Sequence, residues 1–240
     1  MKFTTLPLLV IAIVSFVVIV THRLKKRSLL TASEARSIYV LLAVLVLLGI
    51  INASLALKGI YTSAEFLSLL PGLWLPLVPI ILTISGVLLF PSLRAALRAL
   101  VDHTPPYQLI YLHALRILAI GSILKAIGGE FPEYFAYFIG IPDMLFGLSA
   151  LLVGTIAYRS SLSHRSLLIW HLMGASIIAL PAAPLLQMGL PGPIQIFTSE
   201  PTAQALFEFP MVIAPSLIVP WFLLFNLMVI WRLLETSLKK

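Results

Sequence analysis

The 240-residue chain is 60% apolar and only 10% charged, with a mean hydropathy of +1.06. A soluble domain of this length has about a quarter of its residues charged, so lipid rather than water is the expected solvent for most of its surface. The chain contains no cysteine, which excludes disulfides and thiolate metal sites.

Seven apolar segments separated by short polar connections predict an all-α bundle of seven transmembrane helices, because about 20 apolar residues cross a bilayer. No long polar run interrupts them, so residues 1–240 are predicted to form a single transmembrane domain. The first segment is followed at once by basic residues and is predicted to be an uncleaved anchor rather than a signal peptide. The predicted helices are residues 4–20, 37–57, 71–90, 107–127, 142–158, 167–186 and 209–231.

Prolines in the third, sixth and seventh segments predict kinks in the halves nearer the outer surface, since proline removes a helical hydrogen bond. In the fifth segment, Gly140-Ile141-Pro142 predicts a break. Residues 132–137 then form a short surface helix, because one continuous helix would be about 40 Å long and too long without steep tilt.

The distribution of lysine and arginine predicts an N-terminus outside and a C-terminus inside, since cytoplasmic loops carry the excess of basic residues. The net charge of +7 then reflects topology and contact with anionic inner-leaflet lipids, and nucleic acid is not predicted as a partner. A multi-pass protein of the cell membrane is expected. The predicted inner residues are Arg23, Lys25, Lys26, Arg27, Arg36, Arg94, Arg98, Arg159, Arg165, Arg232, Lys239 and Lys240, and the outer ones are Lys2, Lys58 and Lys125.

Arg116 is the ionisable residue predicted to lie deepest in the bilayer, about 14 Å along the fourth segment. A charge at that depth costs about 2.5–3.5 kcal/mol or more, so it is a functional candidate by default. Asp143 is the candidate counter-charge in a neighbouring segment, about 10 Å nearer the outside. The pair is either a ligand- or proton-handling site or a structural contact, with Asp143 stabilising a helix N-terminus.

His113 and His171 are predicted at similar depths in the fourth and sixth segments, about 9 and 7.5 Å from their inner ends. Two imidazoles at one depth on different helices are what a b-type haem within a bundle requires. Haem b with these two axial ligands is therefore the alternative to a protein without a cofactor.

An intramembrane enzyme is a second alternative. Gly147-Leu148-Ser149-Ala150 and His171 resemble the serine and histidine segments of rhomboid-type intramembrane proteases, without the early histidine–asparagine element. The resemblance implies a Ser149–His171 catalytic pair, although Ser149 is predicted about 7 Å farther from the inner surface than His171.

At the outer face, Glu133 and Glu208 are candidates for lining an acidic vestibule.

The leading interpretation is a non-enzymatic small-solute transporter or ligand-binding membrane subunit with a buried polar site around Arg116 and Asp143. Kinked helices around a charge at the midplane resemble the way in which transporters build their sites. No cofactor or metal is predicted under this interpretation, and a small molecule is the expected ligand.

Overall fold

The computed structural model describes residues 4–237, so the predictions for Lys2, Lys239 and Lys240 lie outside the described residues. Within this range the chain forms helices and no β-strand. Seven helices are long and apolar enough to cross a membrane, which confirms the predicted all-helical fold at that level. They are α1 (Leu6–Lys26), α2 (Ala32–Leu57), α3 (Pro71–Leu89), α4 (Pro106–Ile127), α5 (Glu133–Arg159), α6 (His164–Met188) and α7 (Ala214–Ser237).

Large apolar side chains remain exposed along these helices. Leu47 of α2, Leu88 of α3 and Leu152 of α5 are 56%, 66% and 66% exposed. Soluble monomers rarely expose contiguous apolar surface on this scale. Together with the length and composition of the helices, this surface indicates a multi-pass membrane protein.

Several helix starts differ from the predicted ones, and at α2 local hydrogen bonding explains the difference. The α2 helix begins at Ala32 because Thr31 forms a capping box, in which Thr31 Oγ1 accepts from Glu34 N (3.2 Å) and Thr31 N donates to the Glu34 carboxylate (2.7 Å). Such a box satisfies backbone donors that the first helical turn leaves free. In contrast, α7 begins at Ala214 rather than at residue 209.

The predicted break at Gly140 is wrong, because α5 continues through this position with a π-helical turn over Ala136–Gly140. Pro142 follows this turn, and its ring would clash with the carbonyl four residues earlier in a regular α-helix. The wider π turn moves that carbonyl away and keeps the helix intact. The same arrangement recurs in α7, where the π-helical turn Ala214–Ile218 precedes Pro220.

The basic end of the bundle is the end at which α1, α3, α5 and α7 finish. A short amphipathic helix, Pro91–His103, connects α3 to α4 there and buries Leu93, Leu97 and Leu100. It packs against α2 and α7. The amphipathic helix therefore closes part of the basic end beneath the spanning helices.

The opposite end, called the far end, is closed by apolar packing. Gln187 in α6 is fully buried, and its Oε1 accepts a hydrogen bond from Gly72 N at 2.9 Å, which joins α6 to the start of α3. Leu75 of α3 and Leu186 of α6, near this contact in the chain, belong to an apolar cluster at this end of the bundle. Its buried members include Tyr61, Leu67, Leu75, Phe131, Leu186, Leu190, Phe207 and Val212.

Candidate functional site

Arg116 and Asp143 form a direct ion pair in the middle of the bundle. The Arg116 side chain is 0% exposed, and its Nη2 lies 2.5 Å from Asp143 Oδ1. Arg116 Nε donates to the same oxygen at 2.6 Å, and Nη1 donates to the Gly174 carbonyl at 3.1 Å. The structure thus joins the two charges that the sequence singled out. Counting residues predicts a difference in depth of about 10 Å between Arg116 and Asp143, but their charged groups are in contact.

The local helix type of α4 explains the position of the arginine. Residues His113–Ala119 form a 3₁₀ segment within α4. A 3₁₀-helix has three residues per turn, so side chains three apart lie in line. His113 and Arg116 therefore share one face and are both buried, whereas an α-helix would have placed them about 60° apart.

A close approach of α5 to α4 brings the aspartate to the arginine. A Cβ atom at Gly147 would lie 2.5 Å from Ile117 N and 2.8 Å from the Arg116 carbonyl carbon. Asp143 lies four residues before Gly147 and so projects from the same face of α5. Small residues let membrane helices pack this closely. This contact was not predicted, although glycines recur every seven residues at positions 140, 147 and 154.

Two aromatic rings complete the surroundings of the guanidinium. The Arg116 Cζ atom lies 4.3 Å from the centroid of the Phe146 ring and 6.0 Å from that of Phe222. The Phe146 ring in turn stacks on Trp170, with centroids 4.4 Å apart. Arginine over an aromatic face contributes about 2 kcal/mol when desolvated. The carboxylate and the rings together compensate a charge that the apolar interior would otherwise disfavour.

His113 and His171 lie beside this ion pair, with ring centroids 5.8 Å apart. His171 Nδ1 lies 2.9 Å from Asn226 Oδ1, and Asn226 Nδ2 donates to the Phe222 carbonyl at 3.2 Å. That second bond assigns the amide orientation, so His171 Nδ1 carries the proton and its Nε2 is the acceptor. Neither nitrogen of His113 has a hydrogen-bond partner within residues 4–237.

The rings around the histidine pair do not fit a haem in this arrangement. Axial ligation would place a porphyrin between the two imidazoles. The rings of Phe146, Trp170 and Phe222 instead pack around His113 at centroid distances of 5.8, 5.5 and 5.9 Å. A porphyrin would require these rings to move, so the histidines are close enough for the haem alternative but lack the space it needs.

Ser149 is not paired with His171 in the described part of the chain. Its Oγ donates to the Phe146 carbonyl at 2.7 Å and accepts from Trp170 Nε1 at 3.2 Å. His171 Nδ1 is occupied by Asn226. The resting arrangement therefore lacks the serine–histidine contact that a hydrolytic pair would use.

Glu133 and Glu208 are both exposed near the far end, Glu133 at the start of α5 and Glu208 in the connection that precedes α7. No side-chain hydrogen bond or ion pair links either carboxylate to another group among residues 4–237. Their assignment to an outer vestibule stays a prediction.

These features define the class: a multi-pass membrane protein with a buried arginine–aspartate pair at mid-bundle. Residues 73–234 match the family described as Domain of unknown function (DUF8737), and the chain belongs to this family. The matched range contains Arg116, Asp143, His113 and His171. No curated protein and no solved structure matches the chain.

Proposed function

We propose that this protein is a transporter or ligand-binding membrane subunit for a small solute that carries a carboxylate or a similar anionic acceptor. The observation that supports this function is the state of the Arg116 guanidinium. It is fully buried, and among residues 4–237 its contacts with Asp143 Oδ1, through Nε and Nη2, and with the Gly174 carbonyl, through Nη1, account for three of its five N–H groups. Guanidinium groups bind carboxylates through paired N–H donors, so Arg116 retains a donor for an acidic solute.

The helices around the site contain irregular segments at which parts of a helix can move relative to one another. The 3₁₀ segment of α4 carries Arg116, and mid-helix 3₁₀ segments often mark hinges. Prolines interrupt the far halves of α3, α6 and α7. We infer that these helices are kinked there and that their far halves move against the site, as in transporters with discontinuous helices.

The same proposal includes an orientation. The basic end carries most of the lysines and arginines, and we place it at the cytoplasmic side of the cell membrane, facing anionic lipids. The chain then has its N-terminus outside and its C-terminus inside. Reporters fused to the two ends test this orientation, and finding both on one side would overturn it.

A thermal-stability screen tests the solute. Purified protein is heated with acetate, lactate, succinate or phosphate, each at a concentration well above a millimolar Kd. At 100 times Kd a bound ligand contributes about 2.7 kcal/mol, so we expect at least one of these anions to raise the unfolding midpoint by several degrees. Arg116→Gln should abolish that shift because it removes the guanidinium.

The matched control is Lys125→Gln on the same helix. Lys125 lies outside the site and pairs with Glu130 at 3.7 Å, so its removal should leave the anion shift unchanged. Arg116→Lys keeps the charge but not the planar guanidinium. A reduced anion shift in folded Arg116→Lys would show that the loss in Arg116→Gln does not simply reflect misfolding. The proposal is wrong if no anion raises the unfolding midpoint of the wild type, or if anions raise that of folded Arg116→Gln by the same amount.

The haem alternative has its own check. After haem is added and the unbound haem is removed, the purified protein should show no Soret band, because aromatic rings fill the space beside His113. A Soret band that is lost in both His113→Gln and His171→Gln would instead favour an electron-transfer subunit.

A further inference from the structure

A cleft at the basic end reaches His171, one of the two buried histidines. It lies between the amphipathic helix, α4, α6 and α7 and has a volume of about 130 Å³. Its polar lining comprises Asp102, Thr104, His171, Arg232 and Thr236. A space of this size is large enough for several water molecules, and these side chains supply polar partners for them.

His171 is the residue that joins the cleft to the site. Its side chain lines the cleft, and its ring lies 5.8 Å from that of His113. Because His171 Nδ1–H donates to Asn226 Oδ1, the lone pair of Nε2 is left to accept a proton. His113, whose ring nitrogens have no partner in the described chain, lies next toward Arg116.

The charges around His171 compensate one another on every packed element. From α4, neither ring nitrogen of His113 has a partner among residues 4–237, and Arg116 pairs with Asp143 of α5. From α7, Arg232 pairs at 2.6 Å with Asp102 of the amphipathic helix.

Arg232 has a second acidic partner. Glu235 contacts both Arg232 and Arg98, the latter at 2.6 Å, so two arginines and two carboxylates, Glu235 and Asp102, form one network. On α6 itself, the exposed His164 contacts Ser237 Oγ. A proton that arrives at His171 therefore meets no uncompensated arginine.

We propose that this cleft is a water-filled entrance from the basic end, through which protons reach His171 and couple to solute handling at Arg116. In this step a hydronium ion transfers its proton to the Nε2 lone pair, an N–H bond forms, and water remains. The imidazolium still donates to Asn226 through Nδ1. The coupling rests on the proposed function, whereas the entrance itself does not.

The absence of cysteine from the sequence makes accessibility directly measurable, because one introduced thiol is then the sole target. Single variants Thr104→Cys, Leu109→Cys and His171→Cys place a thiol in the cleft wall. A membrane-impermeant, positively charged methanethiosulfonate reagent is added to vesicles that present either face. We expect all three thiols to react from the basic end and not from the far end, which apolar packing closes.

The matched control is Leu172→Cys, one residue along α6, where the side chain is 44% exposed on the apolar surface. A thiol in lipid stays protonated and unreactive, so this variant should resist the reagent from both faces. Labelling of His171→Cys from the far end would overturn the entrance. So would failure of both Leu109→Cys and His171→Cys to react, since Leu109→Cys keeps the histidine pair intact.

Proton delivery has a separate readout. In vesicles containing protein with ¹⁵N-labelled histidine, acidifying only the phase at the basic end should move the His171 signals toward imidazolium. Acidifying only the opposite phase should leave them unchanged. A response to the opposite phase, or to neither, would refute proton entry. If proton entry is refuted but anions still raise the unfolding midpoint, the solute-binding function stands. If anions have no effect but the His171 signals respond to the basic-end phase, the entrance stands.

Discussion

Replacing Asp143 by asparagine is expected to destabilise the protein by about 3–5 kcal/mol, because it leaves a buried guanidinium without its counter-charge. Arg116 is 0% exposed and Asp143 is 15% exposed. Arginine also cannot lose its proton in a protein, so this charge persists in the variant. Unfolding in mixed micelles, followed by circular dichroism, measures the loss.

Arg116→Gln should cost less than Asp143→Asn. The carboxylate that remains is partly exposed and can become neutral by taking up a proton, whereas the guanidinium cannot. The order of the two losses thus reports which group keeps its charge when its partner is removed. Equal stability of Asp143→Asn and wild type would contradict the ion pair itself.

A double variant separates structure from function at this pair. Arg116→Leu combined with Asp143→Leu removes both charges, and replacing a whole buried ion pair by apolar residues is often neutral or stabilising. We expect it to recover most of the stability that Asp143→Asn loses. If it is folded but has lost the anion shift, the pair is retained for binding rather than for stability.

The sequence identified the two charges because charge contrasts sharply with apolar surroundings. Arg116 and Asp143 could be found by inspection of the spanning segments, and their pairing was expected. Their contact distance could not be derived, since counting residues from helix ends assumes helices that start at one level. The 3₁₀ segment also changes the face on which His113 and Arg116 lie, and no residue in it is a specific signal for that helix type.

The aromatic surroundings were harder to predict for a different reason. Phe146 and Phe222 are apolar residues within apolar segments, so periodicity does not distinguish a ring over a guanidinium from a ring facing lipid. Asn226 was detectable, because an amide within the seventh segment must find buried partners. Pro142 indicated a disturbance of α5, but a proline alone does not decide between a break and a π turn.

Replacing Gly147 by alanine is the second change with a large expected effect. The new methyl group would meet the backbone of α4, at Ile117 N and the Arg116 carbonyl carbon, which cannot move aside as a flexible side chain could. Overpacking typically costs about 1–3 kcal/mol, occasionally more, against about 0.5–1 kcal/mol gained by alanine over glycine within a helix. We expect a net loss of about 1 kcal/mol, and of up to about 2.5 kcal/mol, with a weaker anion shift, since separating α5 from α4 draws Asp143 away from Arg116.

Gly121→Ala is the matched control on α4, because a Cβ atom there would meet nothing within 4 Å. It should retain the gain of about 0.5–1 kcal/mol and leave the anion shift intact. The comparison isolates close packing from helix propensity, as both variants make the same chemical change in a spanning helix. If Gly147→Ala were as stable as Gly121→Ala, α5 could not approach α4 as closely as described. The short Arg116–Asp143 contact would then lose the geometry on which it depends.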